Sequence, residues 1–212
     1  MFIELIDLLR CVNAHEDTWL VASFKTVSDR FVLEANLGCP ICSAQYPIHE
    51  GIADFSAGTN LARCEAERAA PSHRREELAT RAGAYLEATE PGATIALGGV
   101  WAYAAQELGE MAEVRLLALN APGEVKESPS VALLEVGSEI PVAPGSLLGV
   151  ALDAWFPAKI VASAVNAVRP GGRVVGPTVI PPPPELAVLA HDDMYWVAQK
   201  APDVVKLSRA NR

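Results

Sequence analysis

No uninterrupted apolar run in the 212-residue chain approaches the ~20 residues that cross a bilayer. Its opening, MFIELIDLLR, carries acids where a secretory signal would carry positive charge. A membrane span and a secretory route are therefore not expected, and the chain reads as cytoplasmic. Cationic side chains are scarce: 17 Lys and Arg stand against 26 Asp and Glu, for a formal charge of -9. Such a balance argues against a direct nucleic-acid partner, because an unaided grip on phosphates needs a basic patch or stripe. Cysteine is nearly absent too. Cys11, Cys39, Cys42 and Cys64 are too few for a disulfide scaffold of this length, and the grouping of the first three points to metal. What is abundant is hydrophobic residue, 50% of the chain, enough for the core of one ordinary domain plus a small module.

Composition shifts along the chain. Residues 1–56 hold short β-type runs, TWLVASF and RFVLEANLG, separated by turn residues. Residues 57–90 turn helical, rich in Ala, Glu, Arg and Leu, with Pro71 placed to start a second helix and EPG to end it. In residues 91–212 apolar strand-like runs (TIALGG, VRLLALN, SVALLEVG, LLGVALDAWF, GRVVGPTVI) alternate with helix-like segments. That alternation predicts an α/β fold with a mostly parallel sheet covered by helices on both faces. Pro181 to Pro184 read as a stiff loop.

The strongest chemical signal is GCPICSAQYPIHEGI. Cys39 and Cys42, two residues apart, can point two thiolates at one ion, and a tetrahedral structural zinc needs two more ligands. Cys11 and, four residues on, His15 are the candidates, closing a zinc ribbon of Cys11, His15, Cys39 and Cys42. His49 is a weaker substitute, because YPIHEG reads as a strand entering a turn. Cys64 reads as a small apolar residue of the joint. Two other readings stay open: a metal-free ribbon held by its core, and a thiol-exchange pair, although the neighbouring Gly, Pro and strand signals favour the ribbon. ELIDLLRC, CPIC and YPIHEGIADF together resemble the zinc-ribbon proteins related to the small activator subunit of tRNA and protein methyltransferases. That family has two cysteines in its first knuckle, whereas CVNAH keeps only Cys11, so the resemblance leaves His15 to supply the missing ligand.

The third region resembles the class I S-adenosylmethionine-dependent methyltransferases. TIALGGVWA stands where that family has its first strand and glycine loop, and VRLLALNAP where it has its second strand. IPVAPGSLLGV follows the spacing of the loop before its fourth strand, and AVNAVRPGGRVVGP resembles its entry to the fifth, with Gly171 and Gly172 read as a helix stop and turn. LAVLAHDDMYWVAQK would be a closing hairpin with Asp192 and Asp193 at its turn. The resemblance implies a Rossmann-like sheet and cofactor contacts from Gly98, Gly99, Asn120 and Ser138 or Glu139. The departures fall on those contacts: Ala96 replaces an acid, Val100, Trp101 and Ala102 replace glycines, Asn120 replaces the ribose-binding carboxylate, and Ser146 to Leu148 lack another acid. Asn120 can still hydrogen-bond a hydroxyl, without the charge of a carboxylate. Asp153, with Trp155 and Phe156, reads either as a helix cap among core aromatics or as a group orienting a methyl acceptor.

Two functions follow as expectations. One is a non-catalytic methyltransferase-like protein, carrying a structural zinc ribbon and acting as a protein-binding or assembly module. The other is an active methyltransferase whose Gly98, Gly99, Asn120 and Glu139 hold S-adenosylmethionine in an atypical loop. A dinucleotide-dependent oxidoreductase fits less well, because ALGGVWA lacks the three-glycine fingerprint and no acid follows at the ribose position.

Overall fold

β-Branched and leucine-rich runs separated by tight turns build the first part of the chain. In a computed structural model, which describes residues 1–56, 58 and 72–202, β1 (Val21–Ser28) pairs antiparallel with β2 (Phe31–Gly38). Their two-residue turn, Asp29 and Arg30, has positive φ at both positions, the hairpin geometry that matches strand twist. β3 (Gln45–His49) and β4 (Ile52–Phe55) form a second hairpin through Glu50 and Gly51, again both at positive φ. Ahead of these strands lies a 3₁₀ turn over Ile3–Leu8.

The joint region contributes α1 (Ser72–Leu86). It ends on Glu87 in the left-handed conformation, earlier than the EPG stop read from sequence. Pro71, Cys64 and the first expected joint helix lie outside the described residues. Then follow β5 (Thr94–Gly98), a 3₁₀ turn (Gly99–Ala104), α2 (Ala105–Ala112), β6 (Arg115–Leu119), β7 (Val131–Val136), β8 (Leu147–Ala151), α3 (Ala158–Ala167), β9 (Val168–Pro177), β10 (Leu186–His191) and β11 (Tyr195–Lys200). The closing hairpin is β10–β11 with Asp192 and Asp193 in its turn, as the sequence indicates.

The fold is α/β with one large mixed sheet. Among the described residues, eleven strands lie in the order β1-β2-β3-β4-β7-β6-β5-β8-β9-β11-β10. β4, β7, β6, β5, β8 and β9 run parallel to one another, and the flanking pairs β1–β2, β2–β3, β3–β4, β9–β11 and β10–β11 are antiparallel. Strand alternation sorts the core into two layers. Ile95, Leu97, Leu116 and Ala118 join α1 and α2 on one face, while Ala96, Leu117 and Leu119 join α3 and the amino-terminal turn on the other. Strand order reverses between β5 and β8, which is where open α/β sheets leave a ligand crevice beyond the carboxyl ends of their strands.

The cysteine-bearing hairpins form one end of this sheet and are tied to its parallel part. β4 adds to the edge of β7 in parallel, with Ala53 opposite Leu134 and Phe55 opposite Val136. Leu9 bridges Val142 in the β7–β8 crossover. The Met1 amine is buried, donates to the Val32 carbonyl at 3.0 Å and pairs with Glu127 between β6 and β7. One glycine expectation is corrected. α3 ends at Ala167, Val168 is already extended, and Gly171 and Gly172 sit inside β9 where the β8–β9 register shifts. They make a strand irregularity rather than a helix stop: a Cβ on Gly172 would stand 2.5 Å from the Leu148 carbonyl oxygen.

Candidate functional site

Cys39 to Ala44 form the loop between β2 and β3. It is closed by Cys39 N–H to the Ala44 carbonyl at 2.8 Å and Ser43 N–H to the Cys39 carbonyl at 3.0 Å. This tight turn presents Cys39 and Cys42 on one side, and the segment after Leu9 brings Cys11 and His15 over it. The four ligand atoms all lie within 4.8 Å of one another. Cys11 Sγ is 3.6 Å from Cys42 Sγ, and Cys39 Sγ is 3.3 Å from His15 Nε2. A tetrahedral zinc with Zn–S near 2.3 Å and Zn–N near 2.0–2.1 Å has S···S and S···N edges of about 3.8 and 3.6 Å. The donor set could therefore hold a metal ion, and its spacing fits that of a tetrahedral site.

The surroundings match this chemistry. His15 Nδ1 bonds the Glu16 carbonyl at 2.6 Å, which fixes the tautomer and leaves Nε2 free to ligate. The same bond is the main reason the imidazole pKa is raised. The Cys42 thiol is pulled down to about 6, first by the Ala44 backbone N–H and then by the Asn13 amide. Burial pushes the Cys11 thiol up. Four donors from the protein are the number that closes a tetrahedral shell. His49 does not join them: it is exposed and pairs with Glu34 at 2.8 Å.

At the switch point the expected cofactor residues are each engaged within the chain. A Cβ built on Gly98 would lie 2.6 Å from the Phe156 ring and 2.7 Å from Leu152. Gly99, at φ +63, has the Asp153 carboxylate where its side chain would be. That carboxylate is 4% exposed and accepts the Val100 N–H at 2.6 Å and the Trp155 N–H at 3.0 Å. Burial raises its pKa against the pull of those two bonds. The loop N–H that could meet an anionic ligand is thus met by the chain's own carboxylate, and Leu152 and Phe156 fill the space above Gly98. Asn120, at φ 47 on the tip of β6, accepts the Val136 N–H at 2.7 Å and donates to the Val136 carbonyl at 3.0 Å. Its amide staples β6 to β7. Glu139 pairs with Lys159 at 3.5 Å and, with Ser138, lines a different cleft, shared with Cys11 and His15.

Trp101, which stands where the resembled family has a glycine, is fully buried under α1. It lies 4.9 Å edge-on from Tyr195 and 6.2 Å from Tyr85, with the Arg81 guanidinium over all three rings. Arg81 in turn pairs with Asp192. An open cleft of about 390 Å³ remains beside the crevice, bounded by Arg74, Val100, Asp153, Trp155, Met194 and Tyr195. Sequence reasoning missed Asn13 and Tyr46 beside the thiolates and Leu152 above Gly98. No local pattern marks them, because the side chain of each meets a residue brought near only by the fold.

No protein-family profile matches the chain, and no curated protein matches it. Ninety-seven solved chains do match in structure. One is a chain from the complex between the Haloferax volcanii Trm112 methyltransferase activator and a protein assigned as a methyltransferase: 20% identity, 49% of this chain and 52% of that one, TM-score 0.40. A second is the geranyl diphosphate C-methyltransferase of Streptomyces coelicolor A3(2), in complex with Mg2+, geranyl diphosphate and S-adenosyl-L-homocysteine: 11% identity, 49% and 45% coverage, TM-score 0.41. A third is the MycE methyltransferase of the mycinamycin biosynthetic pathway: 11% identity, 65% and 52% coverage, TM-score 0.45. The chain spans about half the length of these structures.

Proposed function

We propose that the chain is a non-catalytic, methyltransferase-like protein that acts as a protein-binding or assembly module, its ribbon closed by a structural zinc on Cys11, His15, Cys39 and Cys42. The filled crevice carries this reading: Asp153 occupies the loop N–H, while Leu152 and Phe156 occupy the space above Gly98. The Asn120 amide is engaged with Val136, and it stands at the β6 tip without the charge of a carboxylate that would accept strongly from ribose hydroxyls. The ribbon supports the assembly half of the proposal. Its β4 already covers one sheet edge in cis, and its outer part leaves Trp19, Val21, Phe24 and Ile41 exposed, side chains that a protein partner would remove from water. A zinc–thiolate centre suits a reducing compartment, in keeping with the cytoplasmic location expected from sequence.

The alternative, an active S-adenosylmethionine-dependent methyltransferase, draws support from the 390 Å³ cleft beside Asp153. Titration calorimetry with S-adenosylmethionine and S-adenosylhomocysteine separates the two. No binding heat at millimolar ligand is expected, and micromolar binding of either would overturn the non-catalytic reading.

A further inference from the structure

Three cysteine thiolates and one imidazole leave a bound zinc with a net charge of one negative, which hydrogen-bond donors around the sulfurs can offset. Two side chains outside the ligand set point at those sulfurs. The Tyr46 hydroxyl lies 3.1 Å from Cys11 Sγ, and Asn13 Nδ2 lies 3.3 Å from Cys42 Sγ. The direction of the tyrosine bond follows from its other neighbour. The Val12 N–H donates to Tyr46 Oη at 3.4 Å, which takes up the acceptor side and leaves the phenolic hydrogen for sulfur. The ring is 4% exposed and stacks on Phe55 at 4.5 Å between centroids, which holds the phenolic oxygen beside the sulfur. Asn13 is doubly placed, since its backbone N–H also reaches Cys11 Sγ at 3.5 Å.

We propose that Tyr46 and Asn13 are positioning residues of the metal centre: their hydrogen bonds orient the Cys11 and Cys42 thiolates and offset the negative charge of a zinc bound to Cys11, His15, Cys39 and Cys42. This rests on the metal reading above. It also gives the centre a mechanical route into the sheet. Tyr46 sits on β3 and Phe55 on β4, the strand paired with β7, so the ring that holds a thiolate also packs the seam between ribbon and α/β region.

The test uses the full chain loaded with zinc, and separately with cobalt(II), in wild type and in the Tyr46→Phe and Asn13→Ala variants. Tyr46→Phe keeps the stacking ring and removes only the hydroxyl, whereas Asn13→Ala acts at an exposed position. Asn36→Ala, whose amide bonds Gln45 on the outer face, is the control. Chelator competition should show zinc binding weakened about 10- to 100-fold in each variant and unchanged in the control. The cobalt–thiolate charge-transfer band should move to longer wavelength, because a sulfur that loses a hydrogen bond gives up its electron more readily. A purely packing role would leave that band in place. Wild-type affinity and band position in both variants, with a folded circular dichroism spectrum, would overturn the proposal. A wild type that takes up no zinc would remove the metal reading itself, a distinct result.

Discussion

Asp153 is the residue whose environment is most at odds with its charge. Its carboxylate is buried, faces Gly99, and is held by the Val100 and Trp155 N–H groups. Burial outweighs those bonds and raises its pKa above the unfolded value of about 3.9. An acid that binds its proton more tightly when folded adds stability that is fully present below the unfolded pKa. That stability is lost as pH rises through the folded value. Urea unfolding of wild type and Asp153→Asn across this window should show the wild type losing stability with rising pH relative to the variant; parallel profiles would contradict the assignment. At neutral pH the variant places an amide NH₂ against one backbone N–H, at a cost of about 1–3 kcal/mol. Sequence reading singled out Asp153 as a cap or an acceptor-orienting group. The cap survives in altered form: the carboxylate caps the loop after β5 rather than its own helix, a partner 53 residues away that local pattern cannot supply. Asn120 was legible in the same partial way. Its place at a strand tip is readable, but its bond to Val136 depends on the β6–β7 register.

Among the elements, the seam between β4 and β7 decides how the two regions hold together. Parallel pairing there needs the chain after Phe55 to run close beside the chain after Val136. Gly137 permits that approach, since a Cβ on it would lie 2.4 Å from the Ser56 carbonyl oxygen, a backbone atom that cannot step aside cheaply. Gly137→Ala should therefore destabilise by about 1–3 kcal/mol, as overpacking does. Gly123→Ala, where an added Cβ meets nothing within 4 Å, should be neutral or slightly stabilising. Denaturant midpoints of the two variants compare these directly, and equal midpoints would mean that the seam is not tight. Strands β5 to β8 were legible because buried parallel strands read as continuous apolar runs; the closing hairpin was legible from the Asp192–Asp193 turn between two apolar runs, whereas the start of β9 at Val168 was not. That Cys11, His15, Cys39 and Cys42 come together was legible from their spacing. The seam was not, because Ala53 and Leu134 are far apart in sequence and no turn fixes their register.

For the whole molecule the question is whether the ribbon can melt alone. Its core residues Leu9, Leu37, Tyr46, Ile48 and Phe55 belong to the same buried cluster as Leu134, Val136, Ile140, Val142 and Phe156. The Met1–Glu127 pair and the Leu9–Val142 bridge add further ties across the same boundary. A structural metal bound only by the folded chain contributes its binding free energy to folding. That contribution reaches the α/β region only if the two parts unfold together. Shared packing argues that they do, so chelator treatment should lower the midpoint of one cooperative transition rather than split off an early one. Hydrogen exchange read by mass spectrometry resolves the outcome by segment. Peptides covering 31–55 and 94–119 should lose protection at the same denaturant concentration, both with metal and after its removal. If the ribbon peptides open first after chelation, while β5 and β6 keep their protection, the common cluster does not couple them and the ribbon is an independent unit clipped to the edge of the sheet.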